Sequence, residues 1–175
     1  KNSSKKNILI SMGTMDTSGV TLNIIEVLKS LILEDLKQYK IHIVLGKSSP
    51  IINLVKNSIK RFNNFILNIE PEDMSKFYKK CYIAIGAPGL SFSERLASGL
   101  PSIVIPQNHY HEEISDNWSK LGCAVKSKND KPSIENAIKI ILQDDNLRNS
   151  IRQKGLELID GNGGLRIAKY LSRLQ

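Results

Sequence analysis

Cysteine is almost missing from this 175-residue chain: there are two, Cys81 and Cys123, both in apolar segments. Two such thiols do not form a disulfide framework, and their setting suits a reduced, cytoplasmic compartment. Aromatic residues amount to 6%, with a single tryptophan, too few for a base-stacking platform. No apolar run approaches the roughly 18–20 residues that cross a bilayer, so no transmembrane segment is expected in this chain. The polar opening Lys1-Asn2-Ser3-Ser4-Lys5-Lys6 leads into a run too short for a secretory signal. Only three histidines occur, with no HExxH, cysteine cluster or Gly-x-Ser-x-Gly elbow beside them. Neither a metal nor a cofactor is expected, and no self-contained catalytic pair is legible.

Lysine and arginine number 25 against 17 acidic residues, a net charge of +8. The positive residues are scattered over most helical segments (Lys29, Lys56, Lys79, Lys139, Lys169) instead of forming one run. That dispersal argues against a nucleic-acid partner and for a solvated surface that attracts an anionic small molecule.

Short β-type runs alternate with helical ones. Strands are expected at 7–12, 41–45, 65–69, 82–85 and 102–105, with a weaker one at 123–125. They are continuous apolar runs, the mark of strands covered on both faces in a parallel sheet. Helices are expected at 22–37, 51–61, 72–79, 91–98, 113–121, 134–143 and 145–158, with a last short one at 165–174. Leu22, Ile25, Leu28 and Leu31/Ile32 give the first an apolar stripe, and Asp73 and Ser133 are expected start signals. The repetition predicts a doubly wound, Rossmann-like α/β domain with a parallel sheet, one domain over 1–175. A chain that opens on Lys1 close to its first strand is expected to be part of a longer polypeptide.

In such a sheet, ligands bind beyond the carboxyl ends of the strands. Three turns fall there: one after the first strand with Gly13, Thr14 and Asp16, one after the fourth with Gly86, Pro88, Gly89, Leu90 and Ser91, and one after the fifth with Asn108, His111, Glu112 and Glu113. Gly86 and Gly89 run into a helix, and glycines beside a helix N-terminus are either a phosphate seat or plain turn residues. The spacing is neither GxGxxG nor Walker A. Glu94, one turn into that helix, either accepts hydrogen bonds from ribose hydroxyls or is an acid favoured near a helix start. Asp16 either orients the first turn or caps the helix beginning near Thr21. His42, inside the second strand, reads as structural. His109 and His111 read as polar contacts to a sugar or phosphate, with metal binding a distant second.

The stretch CYIAIGAPGLSFSERLASGLPSIVIP (81–106) resembles the nucleotide-sugar segment of GT-B glycosyltransferases of the family that makes lipid II. The resemblance implies that the glycine turn holds a diphosphate and Glu94 a ribose. IEPEDM (69–74) then occupies the place where such domains grip uracil, which brings in Ile69 and Met74. The chain is also similar to UDP-sugar hydrolases of pseudaminic acid biosynthesis and spore-coat polysaccharide proteins. ILISMGTMDTSGVTL (8–22) matches their opening and Asp160-Gly161-Asn162-Gly163-Gly164-Leu165-Arg166 their ending. Thr14 replaces a glycine of that opening, and His111-Glu112 stand where the relatives carry Asn-Gln. The resemblance implies the C-terminal half of a GT-B fold, a UDP-sugar as ligand, and an N-terminal domain that holds the catalytic residues. Alternatives are the donor domain of a transferase, or a non-catalytic partner subunit.

Overall fold

The computed structural model describes residues 6–34 and 36–173. Residues 1–5 of the polar opening and Leu174, the expected end of the last helix, lie outside the described residues, as does the side chain of Ile32. Six strands are described: β1 (Asn7–Ser11), β2 (Lys40–Leu45), β3 (Phe65–Ile69), β4 (Ile83–Gly86), β5 (Ser102–Val104) and β6 (Val125–Lys126). They pair in parallel in the order β3-β2-β1-β4-β5-β6. This is the doubly wound order, and its reversal falls between β1 and β4.

The helices are α1 (Val20–Glu34), α2 (Ile52–Ile59), α3 (Ser75–Lys80), α4 (Leu90–Ala97), α5 (His109–Lys120), α6 (Lys131–Gln143), α7 (Asp145–Leu158) and α8 (Gly163–Leu171). Side chains alternate across the strands, as period two requires. Ile8, Ile10, Ile41, Ile43, Ile83, Ile85 and Ile103 join α1 and α6 in one core. Leu9, Val44 and Ala84 face the other way, against Phe77 and Tyr78 of α3, while Val104 packs with Phe92 and Leu96 of α4. Both faces are dry, which is why the strands read as unbroken apolar runs.

Several boundaries differ from the sequence expectation. α1 stops by Glu34 because Leu36 and Tyr39 turn back into the core, with the Leu36 N–H bonded to the Leu31 carbonyl. β6 begins at Val125, since Cys123 and Ala124 are buried beside α4 instead. α6 is capped by Asp130, which accepts from both the N–H and the hydroxyl of Ser133; Ser133 is thus inside the helix and does not start it. Asp73 does act at the start of α3, accepting from the Ser75 N–H at 2.8 Å. α5 begins four residues early, at His109. The closing motif is a structural clasp: Asp160 accepts from the Asn162 N–H and pairs with Arg166 at 2.5 Å.

His42 is structural, as its strand position suggested. It is buried, with Nε2 3.3 Å from Asn7 Oδ1 and its ring edge-on to Phe77. Burial, helped by the charges of Lys80 and Lys40, pushes its pKa down to about 4. The folded protein keeps this ring neutral while the unfolded chain takes up a proton near pH 6.5. Unfolding therefore binds a proton between those values, so the His42 contribution is complete above pH 6.5 and is lost as pH falls toward 4. Urea denaturation at pH 7 and pH 4.5 should show His42→Leu losing about 2–3 kcal/mol less stability than the parent over that interval. Equal losses in the two proteins would remove His42 as the source.

Candidate functional site

The register that decides the site is Ser11 opposite Gly86. It brings the carboxyl ends of β1 and β4 side by side, and with them the turns at Gly13 and at 86–91. Between them, at the switch point, lies a cleft of about 260 Å3. Gly13, Thr14, Met74, Ser91 and Glu94, all expected from the sequence, line it. Glu70, Pro71, Tyr78 and the end of β2 complete it.

Each wall has a local cause. Gly13 sits at φ +94°, a conformation that favours glycine. Thr14 packs its methyl on Gly46 and accepts the Gly46 N–H at 3.0 Å, stitching the first turn to the end of β2. A side chain at Gly46 would overlap that methyl, so the two positions are coupled. Glu70 follows β3 at φ +44°; with Asp16 at φ +42° it is one of two non-glycine residues in the left-handed region among the described residues. Glu70 directly follows β3 and Asp16 lies in the turn after β1, both at this end of the sheet, where backbone strain tends to concentrate around function.

Glu94 reaches the cleft from the second turn of α4. The Tyr78 hydroxyl donates to its Oε2 at 2.7 Å. Burial, and then the bond to this carboxylate, push the Tyr78 hydroxyl above its ordinary range, so it remains a donor. One carboxylate oxygen is thereby held on the cleft wall. Sequence reasoning missed Tyr78: it comes from α3, and nothing in a linear pattern ties it to position 94.

A second, more apolar cleft of about 520 Å3 lies across the first turn of α4, lined by Pro88, Gly89, Leu90, Tyr110, His111 and Trp118 among others. Pro88, Gly89, Leu90 and His111 therefore gather here, beside the first cleft but outside it. The 86–91 turn separates the two. α4 starts on Gly89 with no side-chain cap, in contrast to α5, α6 and α7, which are capped by Asn108, Asp130 and Asp144.

Other expected site residues serve the fold. Asp16 is buried, and its two oxygens accept from Val20 N–H at 3.1 Å and Thr21 N–H at 2.8 Å, so it caps α1. Gln107 ties this turn to the one after β5 through the Met12 carbonyl at 2.9 Å. Asn108 spends its side-chain oxygen on the His111 N–H, because α5 begins one residue later. Glu112 and Glu113 lie in the first turns of α5 instead of a loop, and Glu112 pairs with Lys126 at 2.6 Å. Ile69 ends β3 with its side chain exposed and lines neither cleft. The same register buries Arg95 beneath the 86–91 turn, a residue that the sequence analysis did not single out.

Fold and cleft define a Rossmann-like α/β domain of the GT-B type, with a cleft at the switch point. Residues 1–158 match the family described as Glycosyl transferases group 1. The chain belongs to that family. It is 24% identical over 174 residues to the spore coat polysaccharide biosynthesis protein SpsG of Bacillus subtilis, covering 97% of this chain and 50% of that protein. It is 30% identical over 125 residues to the protein MJ1062 of Methanocaldococcus jannaschii, covering 69% of this chain and 25% of the relative. The chain thus spans half or less of the curated relatives it matches. Among solved structures, S. aureus MnaA in its co-structure with UDP superposes with a TM-score of 0.71 at 20% identity, over 85% of this chain and 39% of that one. No helix among the described residues is long and apolar enough to cross a membrane.

Proposed function

We propose that this chain is the donor-binding domain of a UDP-sugar enzyme that builds bacterial surface polysaccharide, and that it works with an N-terminal domain in the cytoplasm. The carrying observation is the meeting of the Gly13 turn, Ser91 at the end of the 86–91 turn, and Glu94 around one cleft at the switch point. Uracil lies against Glu70, Pro71 and Met74. The Glu94 carboxylate accepts the ribose hydroxyls, since a carboxylate offers paired acceptor sites. The diphosphate lies toward the Gly13 turn and the uncapped start of α4, where free N–H groups and the helix dipole favour negative charge. Its family membership and its similarity to SpsG support this reading.

The reaction breaks the bond between the sugar C1 and the diphosphate oxygen, or a neighbouring P–O bond, with backbone N–H groups stabilising the charge left on the nucleotide. In the hydrolase reading, water attacks. In the transferase reading, which family membership and the similarity to SpsG fit equally well, an acceptor hydroxyl does. The longer protein should release free sugar in the first case and a glycosylated product in the second.

Calorimetric titration of the chain with UDP is expected to saturate with a dissociation constant below about 1 mM, near −4 kcal/mol or better. Absence of saturable binding at millimolar UDP would overturn the assignment.

A further inference from the structure

Arg95 is the largest fully buried side chain among the described residues, at 0% exposure. A guanidinium in such a place is costly unless its charge is matched, and it remains ionised under all ordinary conditions. Its neighbours match it only in part: Glu94 and Tyr78 favour its charged form through space, and its Cζ lies 5.3 Å from the centre of the Phe92 ring. One Nη donates to the Ala87 carbonyl at 2.8 Å, the other lies 3.5 Å from Ser91 Oγ, and Nε is buried with no acceptor. Among the described residues no carboxylate forms an ion pair with it. Burial pushes its pKa down to about 10, which still leaves the charge in place at neutral pH.

The fold makes room for this group deliberately close to the ligand turn. Gly86 meets Arg95 with no side chain of its own, and a Cβ on it would stand 2.5 Å from an Arg95 terminal nitrogen. The guanidinium thus lies directly inside the 86–91 segment, whose residues Pro88, Gly89 and Leu90 line one cleft and Ser91 the other. A well-packed apolar residue would fill the same volume without the desolvation cost. A positive charge without a direct ion pair here is explained if a negative charge arrives on the outer side of the turn.

We propose that Arg95 is an internal counter-charge for a diphosphate bound at the 86–91 turn. It acts as a positioning residue that holds the turn through Ala87 and attracts the phosphates through its field, without touching them. This rests on the nucleotide-sugar reading for the identity of the ligand, but not for its charge. At short range in a poorly solvated setting, a full charge one layer behind a ligand exerts an attraction that bulk water would quench.

The test uses three probes on the full chain: UDP, uridine and inorganic pyrophosphate. Arg95→Met is expected to weaken UDP and pyrophosphate about tenfold and to leave uridine within about twofold, while Arg95→Lys restores most of the loss. A residue that only shaped the cleft would weaken uridine and UDP alike, and that result would overturn the proposal. For the case in which Arg95→Met does not fold, the unsubstituted protein supplies a second readout. The Arg95 Nε–H resonance, identified by its disappearance in Arg95→Lys, should move on adding UDP or pyrophosphate and stay with uridine. Bound UDP or pyrophosphate that leaves the resonance in place refutes the counter-charge. Arg95-dependent binding of pyrophosphate without binding of UDP supports the counter-charge and overturns the nucleotide reading. Binding of neither overturns both.

Discussion

Glu94→Ala is expected to weaken UDP roughly 30-fold, about 2 kcal/mol, and to change the affinity for 2′,3′-dideoxy-UDP by less than about threefold. The carboxylate has one oxygen engaged by Tyr78 at 2.7 Å and stands on the cleft wall. What it offers a ligand is acceptor capacity, and two adjacent hydroxyls are what such a group takes up. Hydrogen bonds to a charged partner contribute about 1.5–3 kcal/mol each, which sets the scale. A ligand without the hydroxyls has nothing to lose. Alanine also strips Tyr78 of its acceptor, so stability is expected to fall by about 1–2 kcal/mol. Glu94→Gln keeps an acceptor for Tyr78 and removes the charge, and should recover that stability while recovering only part of the UDP affinity. Equal losses for UDP and its dideoxy analogue, measured by calorimetry, would remove the ribose role and leave Glu94 as a partner for Tyr78.

The second large effect separates two glycines that look alike in the sequence. A Cβ on Gly86 would overlap the Ser11 carbonyl oxygen in the neighbouring strand as well as the Arg95 guanidinium. Neither can retreat cheaply, because one belongs to the sheet and the other is enclosed. Gly86→Ala should therefore lower the unfolding free energy by about 3 kcal/mol, the upper range for overpacking a core. Gly89 is different: nothing lies within 4 Å of an added Cβ, and its φ of −79° suits any residue. Gly89→Ala is expected to cost at most about 1 kcal/mol in stability, the scale of a helix N-cap change. Its methyl would instead stand over the start of α4 and hinder close approach of phosphates, so UDP affinity should fall with the fold intact. Thermal melting and UDP titration of the two variants together decide the point. A stable Gly86→Ala protein, or a Gly89→Ala protein with full affinity, would contradict the roles drawn from the packing.

Much of this domain is legible along the chain. Unbroken apolar runs separated by amphipathic stretches are properties of short windows, so the strands, the parallel sheet and the doubly wound class follow from them. The 86–91 turn and Glu94 were legible for the same reason: glycine before a helix start is a local signal. The helix starts were less so. An Asn or Asp can cap, turn or bind a ligand, and only its neighbour in space decides which. Asp16, Asn108 and Asp130 all became caps, while Glu112 turned to Lys126.

What the sequence by itself determined, then, is the inventory: a two-sided sheet, glycine turns beyond the carboxyl ends of its strands and a carboxylate one helical turn further on. The tertiary structure alone decided who stands next to whom. Strand order placed β1 against β4, brought Tyr78 from α3 onto Glu94, and enclosed the charge of Arg95 behind the turn. The physical reason is that periodicity and turn chemistry act over a few residues, whereas desolvation and hydrogen-bond partnership depend on contacts across sixteen positions in the case of Tyr78 and Glu94, and seventy-five in that of Ser11 and Gly86.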